Sequence, residues 1–158
     1  MKLLFICTHN RCRSILAEAI TNHIGGAQIT AASAGSSPQG EVHPLTIKYL
    51  NEKGIATDSL NSQSWHDFES FKPDVVLTMC DNAAKETCPA WFNSSLQVNW
   101  ALQDPSKEGH DEAKQKQAFY KTMNIIEQRV QAVLQLNIDA LSHDQLKGEF
   151  VRIAEQIC

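Results

Sequence analysis

Leu3-Leu4-Phe5-Ile6-Cys7-Thr8-His9-Asn10-Arg11-Cys12-Arg13-Ser14 joins an apolar run to a cysteine, five residues, an arginine and a serine. The apolar part reads as a buried strand. From Ser14 the chain reads as a helix, with Ile15, Leu16, Ala19 and Ile20 on one face. A tight turn between strand and helix gathers backbone N–H groups into a concavity suited to a tetrahedral oxyanion. Arg13 adds a planar, always-charged fork that holds two anion oxygens at once. The same positive field favours the thiolate of Cys7, so nucleophile and anion site come as one device. The stretch therefore predicts attack by sulfur on an anionic, tetrahedral centre. The competing reading is a buried cysteine that merely ends a strand.

Outward from this stretch, strands and helices alternate. Strands are expected at Lys2 to Ile6, Ile29 to Ser33, Val75 to Met79 and Leu96 to Trp100. Helices are expected at Ser14 to His23, His43 to Lys53, Asp111 to Leu136 and His143 to Gln156. Gly25-Gly26 stops the first, and Pro44 suits the first turn of the second. The order predicts an α/β fold: one domain over residues 1–158, its four-stranded parallel sheet covered by helices on both faces. Ligands in such folds bind outside the carboxyl ends of the strands. Cys7 and Cys80 each follow a strand, so both should open onto that one edge.

Composition narrows the partners. The 158 residues are 42% hydrophobic and 20% charged, the balance of a globular domain with a proper core. A formal charge of -4 gives no support for nucleic-acid binding. No apolar stretch approaches the roughly twenty residues that span a bilayer, and no secretory signal is present. Five cysteines, an odd count, do not read as a secreted disulfide framework. A cytoplasmic monomer is the expectation.

Met79-Cys80-Asp81-Asn82-Ala83-Ala84-Lys85-Glu86-Thr87-Cys88-Pro89 carries a second signal, two cysteines eight positions apart. From the residues alone the pair is redox-active, or buried packing, or part of a metal site. Zinc would need four ligands and a shorter spacing, and no metal is assigned. The residues between them suit one or two helical turns. An intact helix of that length would hold the sulfur-bearing Cα atoms about 12 Å apart. A disulfide needs about 7 Å or less, so bonding requires the segment to loop out.

Cys7 to Ser14 after the first strand, with Asp104-Pro105 far downstream, resembles the CX5RS loop and acid loop of the low-molecular-weight protein tyrosine phosphatase superfamily. Cys80 and Cys88 resemble the redox segment of the arsenate reductases built on that fold. The resemblance implies that Cys7 attacks arsenate, Cys80 attacks the arseno-cysteine, and Cys88 takes over the disulfide. It further implies that Thr8, His9, Asn10, Arg11, Cys12, Arg13 and Ser14 surround the oxyanion, and that Asp104 is the general acid. Ser14 would donate its hydroxyl to Cys7, or else cap the helix. Thioredoxin is the implied electron donor, with glutaredoxin the alternative; phosphate or sulfate would mimic arsenate, and no cofactor is needed. Seven residues separate the last two cysteines here, where thioredoxin-coupled relatives often have six. Ser106 stands where the tyrosine phosphatases usually carry a tyrosine that lines a phenol slot, which argues against aryl phosphates. The alternatives are a phosphatase acting through phosphocysteine and a redox-switched oxyanion-binding module.

Smaller expectations complete the site. Asn10 should hold the loop through side-chain bonds in a left-handed backbone, and His9 should point outward. Cys12 reads as packing, Cys158 as a spare exposed thiol and Arg11 as a contributor of charge. Asn10, Glu18 and Ser33 sit where some of the reductases hold a potassium ion, but Trp65 follows Ser64 where the fourth ligand would be an aspartate.

Overall fold

Leu3 to Ile6 and Val75 to Leu77 are almost wholly excluded from water. Successive strand residues point to opposite faces, so unbroken burial means that both faces of the sheet are covered. The computed structural model describes all residues from Met1 to Cys158. Strands β1 (Lys2–Ile6), β2 (Thr30–Ala34), β3 (Val75–Thr78) and β4 (Leu96–Asn99) form one parallel sheet in the order β2-β1-β3-β4. In its register Ile6 pairs with Ala34 on one side and Thr78 on the other. The strand order reverses between β1 and β3. Their carboxyl ends, which lead into Cys7 and Cys80, flank the crevice that such a reversal opens.

The helices are α1 (Arg13–Ile24), α2 (Pro44–Glu52), α3 (Asp81–Lys85), α4 (Glu112–Leu134) and α5 (His143–Gln156). Their starts follow local chemistry. Pro44 enters α2 behind a His43 ring nitrogen that accepts the Leu45 N–H, and Asp111 accepts the N–H groups of Ala113 and Lys114 ahead of α4. Ser142 and Gln145 form a capping box on α5. Expected and observed boundaries agree to within two residues, and those of β1 and α5 coincide. Short 3₁₀ turns at Trp65–Phe71, Ala90–Ser94, Pro105–Lys107 and Ile138–Ala140 had no counterpart in the sequence reading, being too short to show a period. No helix is long and apolar enough to cross a membrane.

Arg129 of α4 ties the far end of the sheet to α5. Its guanidinium donates to the carbonyls of Trp100 (2.8 Å), Ile157 (2.8 Å) and Ala154 (3.3 Å), and the residue is buried. Trp100 in turn donates its indole N–H to the Phe150 carbonyl at 2.9 Å. Arg129→Met should therefore cost about 3 kcal/mol in urea unfolding, because three carbonyls lose one shared donor.

Candidate active site at the carboxyl edge of the sheet

The loop after β1 is inverted by its neighbours. The carbonyl of Thr8 accepts the Ser37 N–H at 2.9 Å, that of His9 the Gln39 N–H at 3.2 Å, and that of Arg11 the His43 N–H at 3.0 Å. Ser62 and Thr46 hydroxyls add bonds to the His9 and Arg11 carbonyls. With its carbonyls tied outward, the loop leaves the N–H groups of Thr8 to Arg13 without a protein acceptor, and this is the cup. Asn10 turns the loop at φ 46°, the left-handed region that asparagine tolerates. Gly35 packs so closely behind it that a Cβ would sit 2.6 Å from the Thr8 oxygen and 2.9 Å from the Cys7 oxygen.

A buried chain of hydrogen bonds leads to Cys7. Asn10 Oδ1 accepts the Gln63 N–H at 2.7 Å, which fixes its amide nitrogen towards Ser14 Oγ (2.8 Å) and Ser33 Oγ (3.0 Å). Ser33 donates to Glu18 Oε2 at 2.5 Å. Ser14 Oγ already accepts from Asn10, so its own proton is free for Cys7 Sγ at 2.9 Å. Ser14 makes no helix cap; Cys12 occupies that position, with no side-chain bond to the helix start. Burial pushes the Glu18 carboxyl up to about 7, against the opposing Ser33 bond. Asn10, Ser33 and Glu18 thus satisfy one another, with a donor nitrogen and not an oxygen facing Ser33. They do not fit the oxygen cage that a potassium ion requires.

Cys7, Arg13, Cys80, Glu86, Asp104 and Lys107 are among the residues lining one cavity of about 490 Å³. Arg13 donates to the Leu102 carbonyl at 2.9 Å and lies 3.4 Å from Asp104 Oδ2, joining fork and acid across the cup. Asp104 Oδ1 accepts from both the N–H (3.0 Å) and the hydroxyl (2.6 Å) of Ser106. Thr8, His9 and Arg11 also reach the cavity, His9 as an exposed side chain at its rim. The Asn10 side chain lies behind the loop. Cys12 also lines the cavity but is almost fully buried, and desolvation pushes its thiol up to about 12.

Cys80 ends the strand and begins α3, its sulfur accepting the Ala83 N–H at 3.4 Å and lying 3.8 Å from Thr8 Oγ1. Cys88 is half-buried beyond the helix and does not line the cavity. Burial first, and then the charge of Glu86, push its thiol up. Cys158 is exposed beside a different hollow, and all five thiols are free. Residues that sequence reading did not single out complete the rim: His43, Asn82, Lys85, Glu86 and Lys107. Charge near Cys80 was the available signal for two of them.

The profile of the family described as low molecular weight phosphotyrosine protein phosphatase matches residues 2–147. The chain belongs to that family. Within the family, an arsenate reductase of Halalkalibacterium halodurans is 36% identical over 113 residues, 71% of this chain and 80% of that protein. The glutaredoxin arsenate reductase of a Synechocystis species is 31% identical over 66% of this chain and 78% of its own length. A solved arsenate reductase in the phosphate binding state superposes with a TM-score of 0.70 at 25% identity, covering 84% of this chain and 95% of that one. The thioredoxin-dependent arsenate reductase of Corynebacterium glutamicum gives 0.63 at 29% identity, over 84% of this chain and 59% of that one.

Two measurements follow from the family loop as it is built here. Gly35→Ala must push the Thr8 and Cys7 carbonyls aside, so phosphate affinity measured by calorimetry should fall about tenfold or more. Glu18 binds its proton more tightly folded than unfolded. Its favourable contribution is therefore complete below about 4.5, the unfolded value, and is lost as pH rises through about 7. Between pH 5 and pH 8, urea unfolding of the native chain should lose more stability than that of Glu18→Gln.

Proposed function

We propose that this protein reduces arsenate to arsenite through a thiol relay of Cys7, Cys80 and Cys88. The observation that carries the reading is the second sulfur: Cys80 lines the same cavity as Cys7 and lies 3.8 Å from the loop hydroxyl of Thr8. Hydrolysis of a phosphate ester has no use for it. Arsenate reductases among the similar proteins support the substrate, and the loop amides with Arg13 supply the matching oxyanion cup.

In this scheme Cys7 attacks arsenic(V) and a water leaves, its oxygen protonated by Asp104. Cys80 then attacks Cys7 Sγ. The sulfur–sulfur bond forms as the sulfur–arsenic bond breaks, and the bonding pair departs on arsenic(III) as arsenite. Cys88 attacks Cys80, freeing Cys7 and leaving a Cys80–Cys88 disulfide. α3 holds one of these residues at its start, and the other lies beyond its end, so the segment must unwind to bring their Cα atoms within about 7 Å. A dithiol protein of the thioredoxin or glutaredoxin class then reduces the bridge, in keeping with the donors named for two of the similar proteins. Free thiols and a reducing partner suit the cytoplasm.

A phosphatase is the second reading, favoured by Cys7, Arg13 and Asp104 in one cavity. The two separate on thiol counting and disulfide mapping after one turnover of reduced protein with arsenate. The relay predicts loss of two thiols, one equivalent of arsenite and a Cys80–Cys88 bridge, with Cys88→Ser halting at Cys7–Cys80. Five surviving thiols and no arsenite would sink the relay and leave the phosphatase.

A further inference from the structure

Glu86 places a negative charge where an oxyanion must enter. Its side chain lines the same cavity as Cys7 and Arg13. Oε1 accepts the Thr8 hydroxyl proton at 3.3 Å, while Oε2 is buried with no hydrogen-bond partner. An unpartnered carboxylate oxygen is costly to bury, and in an anion cavity it also opposes the ligand. Sequence reading of the segment gave Glu86 no task beyond a helical turn.

Thr8 has a single hydroxyl proton to give. While that proton goes to Glu86, the hydroxyl faces Cys80 Sγ only as an acceptor, at 3.8 Å. Cys88 feels the same carboxylate, which adds to burial in holding its proton. Glu86 also closes α3, its N–H donating to the Ala83 carbonyl at 3.4 Å. One side chain therefore bears on the cup and on both sulfurs beyond Cys7.

We propose that Glu86 is a latch: at rest it draws the Thr8 proton away from Cys80, and the incoming oxyanion displaces it. The inference rests on the reading of Cys80 as the second nucleophile. A dianion in the cup and the carboxylate repel each other within one cavity. Departure of the Glu86 side chain frees the Thr8 proton to turn towards Cys80 Sγ, which then gains a hydrogen-bond donor. Cys80 is thereby armed only once an oxyanion is present. Glu86 touches no reacting atom and acts through Thr8, so it is a positioning residue.

The test uses reduced, full-length protein with inorganic phosphate as the probe and no turnover. In Glu86→Gln, calorimetry should show phosphate binding about tenfold tighter than in the native chain. Iodoacetamide should label Cys80 faster at neutral pH in the absence of phosphate, read by peptide mass spectrometry. A residue that merely supported the fold would, on loss, weaken the anion site and not strengthen it. Cys12, buried in the intact loop, serves as the internal check and should stay unlabelled. Thr8→Val, which removes the proton that would turn to Cys80, should keep Cys80 labelling slow even when combined with Glu86→Gln, and Glu86→Ala substitutes if Glu86→Gln fails to fold. Unchanged or weaker phosphate binding, or unchanged Cys80 labelling, overturns the latch. Because arsenate is never turned over, a failed latch leaves the relay standing, and a failed relay leaves the latch measurable.

Discussion

Asn10 bonds in three directions, taking the Gln63 N–H on its oxygen and sending its amide hydrogens to Ser14 and Ser33. Its left-handed backbone turns the loop, and its side chain fills the space the turn leaves. Carbonyls that would otherwise line the cup are drawn off by the segment from Ser37 to Thr46. The anion site is thus made by what lies behind it. Gly35 belongs to the same arrangement, since any larger residue would drive the loop carbonyls out of position. The direction of every hydrogen bond from Gln63 to Cys7 is then determined, and the nucleophile receives its proton donor without adjustment at the moment of reaction.

The front of the cup is held by opposite charges. Arg13 reaches Asp104 and the Leu102 carbonyl, while Ser106 pins the other oxygen of Asp104. Arg13 and Asp104 are therefore positioned by each other, on a loop that carries only one short turn. Such a site is indifferent to whether the central atom is phosphorus or arsenic. What differs between the two chemistries is the ability of the central atom to leave with an electron pair, and this asks for a sulfur within reach. The family frame thus supplies the cup, and the short helix after β3 supplies the sulfur.

The parts legible in the sequence were those whose cause is local. Leu3 to Ile6 and Val75 to Leu77 announced buried strands because both faces are covered, and Pro44 marked a helix start by its own chemistry. β2 was expected one residue early, because its alanine-rich stretch has little hydrophobic contrast to mark its ends. The anion loop was legible from spacing, as was its edge of the sheet. Ser106 was weighed only for the tyrosine it replaces, whereas its hydroxyl holds Asp104. Glu86 looked like one charge in a polar stretch, since its meaning depends on where Thr8 comes to lie 78 positions away in the chain. Crowding at Gly35 and the bonds of Ser14 are likewise tertiary facts, with no trace in residue type or period.

Immediately after Cys88 and Pro89 the chain enters an aromatic cluster. Trp91 meets Phe92 edge-on at 4.4 Å, and the fully buried Phe92 meets Trp65 at 5.6 Å. This cluster is a pier for the moving segment. Cys80 leaves a central strand and Phe92 is clamped beneath Trp65, so slack can be drawn only from the residues between these two anchors. In the proposed relay the oxidised and reduced forms would then differ over one small, bounded patch beside the cup. A redox partner must read that patch from the outside, and one of its borders, Trp91, is an intrinsic fluorophore that changes surroundings whenever its neighbour does.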